Sequence, residues 1–237
     1  MLNVAAAKIV RHNSDEESFE FFSGMKVQLV FGRRGFYEID HKKTLSFLNK
    51  FDITPISIHY PSSFTVDDLF IDNIKMLRDA YHQTLFTLHP KFDSLDHAVS
   101  ALRAKEKEIS ELGVILAYEN MPGPKGAWCC YPQLVSSFGF PFTRLTFDTT
   151  HLEQRMDDVQ EISALIDKTA IIHLSNVIYD NGARKTHLPF DKGERDLVRF
   201  LKFIKEQNYD GQTILEYAPT TASYVRDDVK QVEEMLR

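Results

Sequence analysis

The chain has 237 residues, a net charge of −6, and 43% hydrophobic and 26% charged residues, long enough for one barrel-sized domain and short for two ordinary ones. The acidic balance speaks against a protein that grips nucleic acid across a broad surface, since phosphate contacts draw on Lys and Arg. No apolar run approaches the ~20 residues that span a bilayer, and the only cysteines, Cys129 and Cys130, are adjacent and poorly placed to bridge each other, so a cytoplasmic chain without a disulfide framework or membrane anchor is expected.

Met1–Asn13 has apolar residues but neither a basic start with a long apolar core nor a cleavage site, and a first strand is expected at Leu2–Ala6, where the signal is weakest. Short β-rich runs follow at Lys26–Phe31, Pro55–His59, Leu85–His89, Val114–Glu119, Arg144–Asp148, Ala170–Leu174 and Thr213–Tyr217. Most are continuously apolar, as in parallel strands covered on both faces. Helical patterns lie between them. Ser94–Leu112 reads as one helix stopped by Gly113. Arg195–Gln207 puts Leu197, Leu201 and Ile204 on one face, with Val198 beside them. A β-α rhythm repeated about eight times implies a closed barrel or an open doubly wound sheet. No Gly-rich dinucleotide or P-loop fingerprint follows the first strand, and no linker divides the chain. The expectation is one α/β domain over residues 1–237, a (β/α)8 barrel.

His59, His89, Glu119, Asp148, His173 and Glu216 each stand at or near the C-terminal end of a different expected strand. In a parallel barrel those ends converge on one mouth, where barrel enzymes place their chemistry. Imidazoles and carboxylates are costly to bury unless partnered, and six at equivalent positions make sense around a cation. Such ligands suit zinc, manganese, iron or cobalt; Zn or Mn, as one or two ions, is the expectation here. The other histidines serve as a control. His151 and His187 fall in loops on the same face, whereas His12, His41, His82 and His97 read as surface or helix residues.

A structural alternative is that Asp148 only caps the following turn, with Thr149 or Thr150 capping the next helix. Asn181–Gly193 is polar and punctuated by Gly and Pro, which suits a functional βα loop. Arg184, Lys185 and His187 are its candidates for gripping a substrate anion, and a solvated charge run is the plain alternative. Trp128-Cys129-Cys130 reads as buried packing. Phe31, Phe92 and Phe190 lie near strand ends, as candidates to stack on a sugar face.

The series His59-Tyr-Pro, His89-Pro90, Glu119-Asn120, Asp148-x-x-His151, His173-Leu-Ser-Asn, His187-x-Pro and Glu216 resembles the xylose-isomerase-like TIM barrel superfamily over residues 26–220. That superfamily holds sugar-phosphate isomerases and epimerases and the endonuclease IV class of apurinic-site nucleases (AP endonuclease family 2). The resemblance implies a four-ligand site of Glu119, Asp148, His173 and Glu216, with the two glutamates also acting as acid and base. His59 and His89 match additional nuclease histidines, which with Glu119 would hold a second ion. That nuclease's third zinc would call for His151, His187 and an Asp two residues before the latter. Here Lys185 stands there, and Asp191 stands where glycine is usual. Dimers are common in the superfamily, so a homodimer is compatible with it.

Two functions follow as expectations. The preferred one is a divalent-metal-dependent sugar or sugar-phosphate isomerase or epimerase. The ion stabilises an enediolate as a Lewis acid, Glu119 and Glu216 move a carbon-bound proton, and His151 orients an oxygen. Arg184 would bind a phosphate or hydroxyl through its planar fork. The alternative is a phosphodiesterase acting on abasic DNA. His59 and His89 favour it; the acidic charge, the Lys185 replacement and the lack of a base-expelling loop oppose it.

Overall fold

The protein was analysed as a computed structural model, which describes residues 3–62, 64–89, 95–121, 139–154, 156–180 and 183–237, with backbone alone at 95 and 222. Phe92, Trp128, Cys129 and Cys130 lie outside the described residues.

Eight parallel strands close into a barrel. They are β1 (Asn3–Val10), β2 (Lys26–Phe31), β3 (Thr54–His59), β4 (Leu85–Leu88), β5 (Ile115–Glu119), β6 (Thr143–Asp148), β7 (Thr169–Leu174) and, last in sequence, β10 (Gln212–Leu215), which pairs with both β7 and β1. The first strand is longer than Leu2–Ala6 because it continues through Lys8 to Val10. Alternation decides what each residue touches. Ala5, Ala117, Ile171 and Ile214 form a separate fully buried cluster that plugs the barrel. Val4, Ala6 and Val10 join the larger core between strands and helices, with Phe70, Phe86, Phe147 and Phe200.

The outer layer comprises α1 (Glu17–Glu20), α2 (His41–Lys50), α3 (Asp68–Tyr81), α4 (Leu95–Ala104), α5 (Glu106–Leu112), α6 (Asp158–Ser163), α7 (Leu197–Glu206) and α8 (Val225–Leu236). Aspartates set the starts of four of them. Asp40, Asp67, Asp157 and Asp196 each accept a backbone N–H from the first turn, satisfying a donor with no partner inside the helix. Gly113 ends α5 in the left-handed conformation, as expected.

Three expectations need correction. The single helix over Ser94–Leu112 is two, broken at Lys105, whose ammonium reaches back to Asp68 on α3 and forward to Glu108. Val198 is 41% exposed while Leu197, Leu201 and Ile204 are buried. The segment read as a long irregular loop contributes the second arm of an antiparallel hairpin, β8 (Asn176–Asp180) and β9 (Ala183–Leu188), springing from the end of β7. Its base is closed by contact. A Cβ on Gly193 would lie 2.3 Å from Asn176 Oδ1, and that oxygen accepts the N–H of Arg195 at 2.9 Å. Only glycine lets the chain pass that close.

Candidate metal centre

His59 and Glu119 end their strands, His89 and Glu216 follow theirs by one residue, and Asp148 and His173 face each other across the β6–β7 register. Strand-end placement therefore brings all six into one mouth. Their ligand atoms, with those of His151 and His187, fall into three groups within which every atom lies within 4.8 Å of the others: His59–His89–Glu119, Glu119–Asp148–His173–Glu216, and Asp148–His151–His187. Glu119 is shared by the first two and Asp148 by the last two.

The first group is a triangle. His59 Nε2 lies 3.0 Å from His89 Nε2 and 3.4 Å from Glu119 Oε2, and His89 Nε2 lies 2.7 Å from that same oxygen. A tetrahedral zinc with bonds of about 2.0–2.1 Å has ligand–ligand edges of about 3.3 Å, so the triangle is close to that size. His59 Nδ1 donates to the carbonyl of Tyr60 at 3.1 Å, which leaves the Nε2 lone pair facing inward. His89 faces it with the same atom, and nitrogens 3.0 Å apart need a proton or a cation between them.

In the second group His173 Nδ1 stands 2.8 Å from Glu216 Oε2, 3.4 Å from Glu119 Oε1 and 4.0 Å from Asp148 Oδ2. Its other nitrogen donates to Gln28 Oε1 at 3.0 Å, fixing which nitrogen faces the carboxylates. Gln28 is held in turn by Ser57 and Thr87, and Thr87 by Thr146. This fully buried polar layer sits one step beneath the site. Outer partners of this kind orient metal-ligating imidazoles.

Asp148 fulfils both of its expected roles in part. Oδ1 caps the turn Thr149–His151, accepting from Thr150 N at 2.6 Å and Thr150 Oγ1 at 2.8 Å. Oδ2 is buried with no hydrogen-bond partner, whereas Glu216 Oε2 is answered only by His173 Nδ1 at 2.8 Å. Buried oxygens are rarely left unpartnered. An orphaned oxygen beside two further carboxylates and an imidazole is a place that a cation would fill, so the donor set fits a divalent ion.

In the third group His151 Nδ1 donates to the Asn120 carbonyl at 2.8 Å, and its Nε2 lies 3.7 Å from Asp148 Oδ2. His187, in the left-handed region at φ 56°, places its ring 5.9 Å from that of His151.

Electrostatics follow from this crowding. Burial pushes the Glu119 carboxyl up, but His89 and His173 hold it well below the usual carboxylate range. Burial likewise opposes the charge on His173, yet Glu216 and Glu119 raise it well above the ordinary imidazole value. Among the described residues no lysine or arginine pairs with these three carboxylates.

Arg184 and Lys185 lie on β9, paired with Tyr179 and Ile178, outside all three groups. Phe31 and Phe190 are buried in the core and present no face for stacking. Gln28, Ser57 and Thr87 were missed in the sequence, and Asn120 was read only as the neighbour of Glu119. The available signal was a polar residue interrupting an apolar strand two positions before a strand-end ligand, as Ser57 precedes His59 and Thr87 precedes His89.

The family described as Xylose isomerase-like TIM barrel matches residues 71–237. Several solved structures share the fold. A D-tagatose 3-epimerase-like protein is 16% identical over 99% of this chain and 98% of its own, at a TM-score of 0.75. A xylose isomerase-like TIM barrel protein from Mycobacterium smegmatis in complex with magnesium is 12% identical over 100% and 97%, at 0.75. The probable 3-DHS dehydratase AsbF of Bacillus anthracis, involved in petrobactin synthesis, is 13% identical over 98% and 99%, at 0.73. No curated protein sequence matches the chain.

Proposed function

From the premise that the chain belongs to the xylose isomerase-like TIM barrel family, we propose that it is a divalent-metal-dependent isomerase or epimerase of a sugar or sugar phosphate. The observation that carries this reading is the convergence of Glu119, Asp148, His173 and Glu216, with Asp148 Oδ2 buried and unpartnered. The epimerases among the structures of like fold support it. Glu119, Asp148, His173 and Glu216 would hold a zinc or manganese ion, and His59 and His89 with Glu119 a second. A bound ion supplies a Lewis acid for adjacent hydroxyl and carbonyl oxygens.

The chain's own residues do the rest. Glu119 and Glu216 both stand beside His173 Nδ1, at 3.4 and 2.8 Å, and a sugar carbon held against them would lose a proton to one and regain it from the other. Charged imidazole neighbours keep Glu119 ionised and ready to accept. His151, tied to Asn120 through Nδ1, offers Nε2 to a substrate oxygen. Arg184, Lys185 and His187 on the hairpin are the proposed grips for the distal end.

Metal analysis of protein purified without added ions, with anomalous scattering, tests the centre, and ketose and ketose-phosphate panels test the reaction. Glu119→Gln and Glu216→Gln should each lower kcat by about 10²–10⁴, while Ile9→Val changes it little. Wild-type turnover in both glutamine variants removes the acid–base assignment.

The His59–His89–Glu119 triangle favours a second reading, metal-dependent cleavage of abasic DNA. Three bound ions together with nicking of an abasic oligonucleotide would replace the first reading with it.

A further inference from the structure

The residues after His59 lead into a region that the proposed chemistry does not use. A cavity of about 320 Å³ lies between the β2–α2 and β3–α3 connections, lined among others by Arg33, Phe36, Tyr37, Tyr60 and Phe64, with Asn73 of α3. Both connections leave C-terminal strand ends, so the cavity belongs to the same rim as the metal centre. Successive residues point opposite ways, and Tyr60 joins the core between strands and helices while His59 faces the metal groups.

Three features distinguish this cavity from a packing gap. Tyr37 is 71% exposed, yet its ring is pinned. Its hydroxyl accepts from Asn73 Nδ2 at 3.3 Å, and the ring meets Phe36 edge-on at 5.2 Å. The turn presenting it depends on Gly35, at φ +71°, where a Cβ would lie 2.5 Å from His12 Nδ1. Tyr60, only 4% exposed, accepts from Asn73 Nδ2 at 3.1 Å, while its own O–H proton has no acceptor among the described residues. Arg33 has neither ion pair nor hydrogen bond among them. The nearby Asp67 carboxylate is already spent on Phe70 N–H at 2.9 Å and Thr65 Oγ1 at 2.6 Å.

We propose that this cavity binds a ring-bearing anion, the ring stacked on Tyr37, an acceptor on the Tyr60 hydroxyl, and a phosphate or carboxylate on Arg33. A held aromatic face suits a planar ring or the C–H face of a sugar, the guanidinium fork suits an oxyanion, and the volume is that of a small-ligand site. The site goes beyond the metal-centre reading and stands without it.

Isothermal titration with p-nitrophenyl phosphate, glucose 6-phosphate and inorganic phosphate tests it. A ring phosphate should bind at least tenfold more tightly than inorganic phosphate, and whichever ring binds better identifies the ligand source. Tyr37→Ala should weaken the ring phosphate roughly three- to tenfold and spare inorganic phosphate. Arg33→Gln should weaken both about tenfold, and Tyr37→Phe should keep most of the affinity. Both positions are exposed, so folding is not at stake. Binding should persist in Glu216→Gln. Equal affinities for all three probes, binding lost in Glu216→Gln but indifferent to Arg33 and Tyr37, or no binding at millimolar probe would each overturn the proposal.

Discussion

Two groups of buried ionisable side chains lie near each other in sequence and are built in opposite ways. Around Arg195 the charges are answered from within. Its NH1 donates to the Met156 carbonyl at 2.5 Å, its NH2 to those of Leu152 and Glu153 at 3.1 and 2.9 Å and to the Tyr179 hydroxyl at 2.7 Å. Asp158 Oδ1 stands 3.4 Å from the same guanidinium as an ion pair, although neither that oxygen nor Arg195 Nε makes a hydrogen bond. Around His173 the groups are carboxylates and imidazoles alone, Glu216 is answered only by His173 itself, and Asp148 Oδ2 finds no hydrogen bond. The first group carries its own guanidinium; the second has imidazoles alone, which can trade a proton for a metal ion. Burial of charge therefore does not mark a site by itself. Convergence of carboxylates on imidazoles, with no lysine or arginine among them, is the more telling pattern.

The largest effect expected from this contrast is on stability. Arg195→Met should cost about 3–5 kcal/mol in urea unfolding, because Asp158 and several carbonyls stay buried without their donor. Asp148→Asn keeps the turn cap through Oδ1 and should change the stability of the metal-free protein by less than about 1 kcal/mol, since Oδ2 accepts no hydrogen bond. An equal loss in both variants would erase the contrast. Next in size is the metal itself. Zinc or manganese at about 100 times Kd should stabilise the fold by about 2.7 kcal/mol, read as a rise in Tm that a chelator reverses. An unchanged Tm across the titration would mean that the acceptors are not a metal site. Smaller again is Gln28→Leu, which frees the far nitrogen of His173. Metal affinity should fall roughly 10–100-fold while Arg195-dependent stability is untouched. Full affinity in that variant would show that the imidazole needs no outer partner.

The two groups also differed in how far the sequence revealed them. The strand-end side chains of the candidate centre were legible in their placement because β-strand periodicity and the convergence of a parallel barrel fix where a terminal side chain goes. His59, Glu119, Asp148 and His173 needed nothing more. The ion-pair knot was invisible, because Arg195 meets Leu152 and Met156 only once a hairpin folds over the mouth. That hairpin was itself missed, since Asn181–Gly193 mixes Gly, Pro and charge in a way that reads as irregular chain, and its pairing partner β8 follows β7 after a single residue. The break at Lys105 escaped for the same reason, as a contact with Asp68 across the surface decides it. Gln28 and Thr87 looked like ordinary strand polars because their meaning lies across the barrel.

The smallest effect is a slope with pH, and it belongs to the knot. Burial pushes the Asp158 carboxyl up to about 7, with Arg195 pulling it back only in part. A folded value above the unfolded one, about 3.9, means that the native protein holds a proton which the unfolded chain has released. Stability from this group is therefore complete below about pH 4 and is lost as pH climbs through about 7. The slope cannot exceed about 1.4 kcal/mol per pH unit, the value of one proton. Asp158→Asn keeps the shape and cannot ionise, so unfolding curves from pH 5 to 8 should flatten by up to that amount. A slope that survives the substitution would place the proton elsewhere. Asp158 would then be ionised and balanced by the Arg195 guanidinium 3.4 Å away, and the difference from the metal centre would be sharper still.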